Sequence, residues 1–508
     1  MSEYDFDVLY LGSGHGAFDG AGPLAASGKK VGVIESDMIG GTCPNYGCNA
    51  KITLDTPVVL QRMAERMQGI VSGSITINWS ELVAHKQAVI KPLPTNIGSN
   101  LKQTGVTIIH GHGKFIDPHS ITVAGKTYTA ENIVIATGRR PHHLDIPGTE
   151  LAHDSRAFMD LKTLPKRIGI LGSGYISMEF ATIANAAGAE VSVFMHADKA
   201  LREFHQPFVK AVMADMTKRG VKFIPSADVQ ALKQTAQGIA IQYGDHQEQQ
   251  VDWVLDATGR IPNDDQIGLE AAGVTFSQRG IPVDDHLRTN VPNIFASGDV
   301  LDKPQPKLTP TATFESYYLY QLLSGQTTDP IDYPAIPSTV YTTPRIAKVG
   351  VTPEEAADGD YQVVRNHIPD DWYHQTDQET MGDSILIFDR DHHLVGATEF
   401  SAQAEDAINT LLPAIVFHFS KQQMWQMAHI FPSESAAAWH KIRGGCSGNF
   451  LTNKRHSKRH RFCRNCCGDV FLNVGKFDYR FGSILKVSFD KLVPIVMSLN
   501  RKSRVVSL

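Results

Sequence analysis

Two cysteines stand five residues apart near the start of the chain, in Gly40-Gly41-Thr42-Cys43-Pro44-Asn45-Tyr46-Gly47-Cys48-Asn49-Ala50-Lys51. Such a close pair points to thiol–disulfide redox chemistry or to metal binding. On a regular helix this spacing holds the Cα atoms too far apart for a disulfide. Pro44 and Gly47 let the chain between them deviate. The apolar pattern after Cys48 predicts a helix starting there, and a helix N-terminus stabilises a thiolate. No second Cys or His pair stands nearby to complete a metal site, and a buried structural pair is the remaining alternative. The nucleotide-type turn just upstream favours redox activity.

That turn belongs to the elements that must position the cysteines. Residues 5–12, DFDVLYLG, read as a short strand buried on both faces. They lead into Gly12-Ser13-Gly14-His15-Gly16-Ala17, the pattern G-x-G-x-x-A of a dinucleotide-binding Rossmann unit. Gly12 permits the tight turn, Gly14 lets a pyrophosphate approach the backbone, and Ala17 keeps the helix close to the strand. The next strand, KKVGVIE, ends at Glu35, 23 residues after Gly12, where a carboxylate accepts hydrogen bonds from an adenosine ribose. A second fingerprint, Gly172-Ser173-Gly174-Tyr175-Ile176-Ser177-Met178-Glu179, follows the strand KRIGILG, with Ser177 in the third glycine position. Two such units imply two nucleotides, as hydride transfer from a nicotinamide to a flavin requires. After the second unit's next strand come His196, Lys199 and Arg202 instead of an acid. Positive charge there favours NADPH over NADH as coenzyme.

The segment GGTCPNYGCNAK resembles the active-site motif of the pyridine nucleotide–disulfide oxidoreductases, the family of glutathione reductase, dihydrolipoamide dehydrogenase and mercuric reductase. The resemblance implies FAD as cofactor, Cys48 as the thiol in charge-transfer contact with the flavin, Cys43 as the thiol that attacks substrate, and Lys51 beside the flavin ring. It pairs Glu179 with Lys51 near the nicotinamide. It makes Ala136-Thr137-Gly138 and Ala257-Thr258-Gly259 the turns where the chain returns past each nucleotide. It assigns Asp299, in TNVPNIFASGD, to the ribityl chain. Leu308-Thr309-Pro310-Thr311-Ala312 lines the flavin, Gly113 lies near the adenine, and His196 and Arg202 stand where NADPH-dependent relatives carry two arginines. Gly41, Thr42, Tyr175 and Ile176 complete the expected nucleotide contacts. The implied fold is α/β, with two Rossmann-like dinucleotide-binding domains, for FAD and NAD(P), and a C-terminal α+β dimerisation domain. Its expected parts are residues 1–150 (FAD), 151–262 (NAD(P)), 263–330 (FAD again) and 331–440 (dimerisation), the last containing a helix from Ala404 to Phe419. A homodimer follows, each site completed by the partner.

The family usually ends in His-Pro-Thr-x-x-Glu, whose His moves a proton at the interchange thiol and whose Glu orients it. Here the stretch reads Ala428-His429-Ile430-Phe431-Pro432-Ser433-Glu434-Ser435. Read straight across, His429 and Glu434 keep the five-residue separation, though the proline has moved. In the other alignment, Ile430-Phe431 precede the motif and the catalytic His is deleted. The first is preferred. Glutathione reductases also carry a substrate-binding arginine on the first helix, where this chain has Gly22. A small disulfide, glutathione disulfide first, is the expected substrate. A metal ion or reactive halogen-derived oxidant, a dihydrolipoamide dehydrogenase-like activity, and an inactive flavin-binding protein are the alternatives.

Composition sets the outer bounds. Apolar residues make up 42% of 508 and charged residues 20%, which excludes a disordered chain. No apolar run reaches the length of a membrane span, and the N-terminus lacks a secretory pattern, so the expected setting is cytoplasmic. Residues 441–508 hold 15 Lys and Arg against 3 Asp and Glu, in a chain whose net charge is −5. This basic tail, with Cys446, Cys463, Cys466 and Cys467, is read as a non-native extension. An anion-binding segment, a metal site without two clean ligand pairs, and a vicinal redox pair at Cys466-Cys467 are weighed beside it. Nucleic acid is not an expected partner of the body, and no resident metal is expected.

Overall fold

The short apolar runs of the first 135 residues become a parallel sheet. Its order is Thr107–His110, Val31–Glu35, Phe6–Leu11 and Lys126–Ile135, with Ile294–Ala296 beside the far edge of the last strand. Leu9, Tyr10, Val33, Ile133 and Val134 are fully buried, which is why these strands read as continuous apolar runs and not as alternations. Lys126–Ile135 begins in an antiparallel ribbon with Ser120–Val123 and Gly113–Asp117, then continues in parallel with Phe6–Leu11. In this computed structural model, which describes residues 3–445, the last strand of the sheet thus comes from a segment almost 160 positions downstream.

The intervening chain forms a second parallel sheet in the order Lys222–Ile224, Glu190–Phe194, Arg167–Leu171, Trp253–Asp256 and Ala152–His153. The strands Arg139–Pro141 and Arg260–Pro262, on the way in and out of this unit, pair antiparallel. A third sheet is entirely antiparallel: Ser338–Val340, Arg345–Gly350, Leu394–Ser401, Asp383–Phe388 and Gln362–His367. Leu386, Phe388 and Ala397 of this sheet pack with Ile408, Leu411 and Trp439 from the helices Ala404–Val416 and Glu434–Gly445. The mixed α/β architecture with a C-terminal α+β unit is the one expected.

Two boundaries differ from expectation. The helix from Ala404 ends at Val416, three residues early, after Pro413 in its last turn; His418 then takes a left-handed backbone (φ 47°). The helix Glu434–Gly445 runs across the expected boundary between residues 331–440 and the basic tail 441–508. Lys441, counted by charge as the tail's first residue, is buried in the body with its Nζ 3.4 Å from Glu399 Oε2. The expectations for Cys446, Cys463, Cys466, Cys467 and the basic segment lie outside the described residues.

Candidate active site

Each nucleotide-type turn is forced by its first glycine. Gly12 and Gly172 have φ of +105° and +101°. A Cβ on Gly12 would lie 2.3 Å from the carbonyl oxygen of Ala136, and one on Gly172 2.6 Å from that of Ala257. The two Ala-Thr-Gly segments are therefore the backbones against which the glycine turns close. The second glycines differ: a Cβ on Gly14 or Gly174 would meet nothing within 4 Å. Their lack of a side chain answers to nothing in the protein itself and leaves the turn open to a ligand.

Cys43 lies in the short helix Thr42–Tyr46, and Cys48 is the first residue of the helix Cys48–Arg66. Gly47 breaks the two helices apart. A Cβ there would come within 3.1 Å of Thr42 O and 3.2 Å of Cys43 Cα, so a larger residue at the break would need its neighbours to give by a few tenths of an ångström. The break brings the cysteines together despite their spacing. The Cys48 thiol is held below its ordinary range, first by a hydrogen bond from Cys43, then by Thr309 and the charges of Lys51 and His15, against the opposing effect of burial. Cys43 is held above its range by that same bond and by burial. The proton of the reduced pair therefore sits on Cys43 and the thiolate on Cys48. Thr309 Oγ1, at the start of the helix Thr309–Leu323, lies 3.4 Å from Cys48 Sγ.

Lys51 follows one helical turn later. Its Nζ lies 3.1 Å from Glu179 Oε1 and 3.4 Å from the ring centroid of Tyr341. The same Glu179 oxygen accepts the backbone N–H of Tyr341 at 2.9 Å. One nearly buried carboxylate thus joins the cysteine helix, the second nucleotide unit and the C-terminal unit. Behind it, Arg345 donates to Asp55 at 2.9 Å and pairs with Glu405. Burial pushes the Asp55 carboxyl up to about 6 against the pull of Arg345. Tyr341, Arg345 and Asp55 carry no motif that marks them in the sequence.

Other expected residues fall in varied places. Ser13 does not face a ligand: it is fully buried, and both its N–H (3.0 Å) and its hydroxyl (2.6 Å) donate to Glu35 Oε2. Glu35 Oε1 accepts from Asp37 N at 2.8 Å, so this carboxylate already braces the turn that it was expected to complete with a ribose. Gly113 is buried, and a Cβ there would strike Leu11 Cδ1 at 2.5 Å. Close packing against the first strand accounts for it without an adenine. Gly41 (φ +68°) backs onto Gly14, its Cβ position 2.8 Å from Gly14 Cα. Gly138 (φ +68°) and Gly259 (φ +157°) have open space at the Cβ position. Ala17, Ala136 and Ala312 are buried, and Tyr175 is exposed beside the half-buried Ile176. His196, Lys199 and Arg202 are all exposed, in the segment after the strand Glu190–Phe194.

The C-terminal stretch departs from its expected geometry. Neither oxygen of the buried Glu434 makes a hydrogen bond among the described residues. Glu434 Oε2 instead lies 3.7 Å from Nε2 of the buried His374, whose Nδ1 is 3.1 Å from Glu379. The His429 ring sits 4.7 Å from that of Trp439. The reason is the helix start: Glu434 is the first residue of Glu434–Gly445 and turns inward with Trp439. His374 carried no sequence signal, since its partners lie 5 and 60 positions away. Burial and the nearby Glu399 charge push the Glu434 carboxyl up to about 7. A raised carboxyl binds its proton more tightly in the folded state, so this group's destabilising effect is absent in acid and grows as pH rises from the ordinary carboxylate range to about 7. Glu434→Gln should melt with the wild type at pH 5 and about 2–4 °C above it at pH 8. Equal midpoints at both pH values would show that the carboxylate is compensated.

The profile of the pyridine nucleotide-disulphide oxidoreductases matches residues 6–316, and that of the dimerisation domain of the same group matches residues 336–441. This chain belongs to the pyridine nucleotide-disulphide oxidoreductase family. It is 36% identical over 379 residues to the chloroplastic/mitochondrial glutathione reductase of Pisum sativum, covering 71% of this chain and 68% of that one. It is 30% identical over 454 residues to a glutathione reductase of Nostoc sp. (85% and 98% covered) and 31% over 377 residues to a dihydrolipoyl dehydrogenase of Geobacillus stearothermophilus (72% and 79%). The HOCl-induced flavoprotein disulfide reductase RclA from Escherichia coli superposes with a TM-score of 0.78 at 26% identity, covering 85% of this chain and 98% of that one.

Members of this family are FAD-dependent and take electrons from NAD(P)H. The residues present fit both groups. The cradle at Gly14 is open, and the buried Thr137 Oγ1 has no hydrogen-bond partner among the described residues. Burial pushes the Asp299 carboxyl up against the pull of Arg260, Lys307 and Arg139. At the second turn, the open Gly174 and the exposed bases fit a nicotinamide dinucleotide. The dimerisation-domain match supports a homodimer. Among the described residues no helix is long and apolar enough to cross a membrane.

Proposed function

We propose that the chain is an NADPH-dependent flavoprotein that reduces a small disulfide through Cys43 and Cys48, glutathione disulfide being the first candidate. The observation that carries this reading is the broken helix at Gly47, which sets a proton-bearing Cys43 against a Cys48 thiolate beside the Lys51–Glu179 pair. FAD, when bound, supplies the relay of an electron pair from the nicotinamide to the cysteine pair. The protein's part is to place and protonate. Gly14, Gly41, Thr42, Asp299, Thr309 and Ala312 hold the flavin nucleotide across residues 1–150 and 263–330. Gly174, Tyr175 and Ile176 hold the coenzyme in 151–262, with His196 and Arg202 on a 2′-phosphate. Lys51 and Glu179 fix the junction, and Cys43 attacks the substrate sulfur.

Residues 331–440 form the dimerisation unit in this reading. Phe417, Trp425, Ile430 and Phe431, all more than half exposed, are the apolar surface that a partner subunit would cover. His429 is the candidate for the partner's base in this reading, while Glu434 lies against His374. A cytoplasmic setting suits a cysteine pair that must cycle through its reduced form.

A second reading, reduction of a non-disulfide oxidant, is favoured by Gly22. It lies against Thr104 and Leu101 and offers no arginine to a peptide carboxylate. The test is NADPH oxidation by the FAD-loaded protein with glutathione disulfide, then with a metal ion or a halogen-derived oxidant, as sole acceptor. Turnover with the disulfide is the expected result, with NADPH preferred to NADH. Turnover with the other acceptors alone would establish the second reading.

A further inference from the structure

A lysine ammonium on its four-carbon stem can turn about a single carboxylate without losing the pair. Lys51 is held a second time. Its Nζ lies 3.1 Å from Glu179 Oε1 and also 3.4 Å from the centroid of the Tyr341 ring, whose face attracts a cation. The ring is itself anchored. The Arg345 guanidinium lies 4.7 Å from the same centroid and is locked by Asp55 at 2.9 Å and by Glu405. Arg345 and Asp55 are both buried, so this support belongs to the core and not to the surface. Two cations at one ring repel each other, and the carboxylates of Glu179, Asp55 and Glu405 offset that repulsion. Lys51 stands three residues after Cys48 on the helix Cys48–Arg66, where side chains are neighbours. The Cys48 thiol is held down first by the Cys43 hydrogen bond, then by Thr309 and by the charge of Lys51. A charge acts on a thiolate through its distance, so whatever fixes the ammonium also fixes the ionisation of the thiol.

We propose that Tyr341 is a positioning residue: its ring seats the Lys51 ammonium, keeps that charge bearing on Cys48, and so maintains Cys48 as a thiolate. This rests on the disulfide-reductase reading above, in which that thiolate meets the flavin. The main chain and the side chain of Tyr341 do separate work. Its backbone N–H donates to Glu179 Oε1 at 2.9 Å whatever side chain stands at 341. Removing the ring therefore leaves Glu179 in place as a partner for Lys51 and takes away only the second hold. The working part is the ring and not the hydroxyl, so phenylalanine serves in its place. Arg345 and Asp55 act one step further back, by fixing the ring. The ionisable groups about this ring and the Lys51 ammonium come from four elements: Cys48 and Asp55 from the cysteine helix, Glu179 from the helix Tyr175–Ala186, Arg345 from the strand Arg345–Gly350, and Glu405 from the helix Ala404–Val416. Cys43 and His15 also bear on Cys48.

The test uses the FAD-loaded protein carrying Cys43→Ser, in which Cys48 cannot form its disulfide and its thiolate shows as a charge-transfer absorption with the oxidised flavin. The pH midpoint of that absorption reads the ionisation of Cys48. Adding Tyr341→Leu should raise the midpoint by about one unit, as the retreat of a nearby opposite charge does, and adding Tyr341→Phe should leave it in place. With Lys51→Gln already present, Tyr341→Leu should raise it no further. Replacing Tyr341 by a graded series of fluorinated phenylalanines keeps the shape of the ring and weakens its pull on a cation, so the midpoint should climb with each added fluorine. That series also carries the test if Tyr341→Leu fails to load FAD. A midpoint unmoved by Tyr341→Leu, or unmoved across the fluorinated series, would overturn the proposal, as would an equal rise from Tyr341→Leu in the presence of Lys51→Gln. Failure of the underlying reading would look different: the Cys43→Ser protein, with FAD bound, would show no charge-transfer absorption at any pH, and the proposal would fall with it.

Discussion

Cys43→Ser is expected to abolish disulfide-dependent NADPH oxidation, by at least about 10³-fold, while NADPH still reduces the bound flavin at the wild-type rate. The two halves separate because the side chains serve different partners. Cys48 lies beside Thr309 and Lys51, on the side where the flavin nucleotide would sit, and keeps its low-lying thiolate whether or not Cys43 can exchange. Serine at 43 can still donate a hydrogen bond to Cys48, so the local fold and the flavin contact persist. What is lost is the sulfur that must form the mixed disulfide. Stopped-flow flavin reduction and steady-state turnover on one preparation would check both halves. Parallel loss of both would mean that Cys43 is structural.

Gly14→Ala is the second large effect, and its value lies in the contrast with Gly12→Ala. At Gly12 the added methyl meets the Ala136 carbonyl at 2.3 Å with a left-handed backbone, so the turn itself must break. At Gly14 the methyl meets nothing within 4 Å, so the protein without cofactor folds as before. It does fill the space through which a pyrophosphate approaches the turn. FAD affinity should fall by at least about 100-fold, or about 3 kcal/mol, with an unchanged circular dichroism spectrum. Full flavin occupancy in purified Gly14→Ala would show that the open space serves another purpose.

These two glycines also show what the sequence makes legible. A turn that needs φ near +100° against a neighbouring carbonyl admits only glycine, so residue type reports backbone geometry directly. The cysteine pair was legible for a similar reason, since Pro44 and Gly47 mark where the chain between them can leave a regular helix. Buried parallel strands read as apolar runs, which gave the two nucleotide-binding sheets. Contacts between distant segments were not legible. Ser13 sits at a fingerprint position whose type says nothing about whether its hydroxyl faces a ligand or Glu35. His15 and Asp19 are four apart, but their clamp, Thr313, comes from almost 300 positions away. The five-residue separation of His429 and Glu434 matched the expected motif, yet the helix that starts at Glu434 turns its carboxylate inward to His374. Charge counting put Lys441 in the tail, whereas burial against Glu399 puts it in the body.

In the proposed reaction, electrons from NADPH reach the substrate through Cys43 and Cys48. The most direct measurement is anaerobic addition of one equivalent of NADPH to the oxidised, FAD-loaded protein, followed by alkylation and peptide mass analysis before and after a disulfide substrate is added. Cys43 and Cys48 are both expected to become alkylated only after NADPH, and to be protected again once the disulfide is added. NADPH consumed and acceptor reduced, with the alkylation state of both cysteines unchanged throughout, would contradict it.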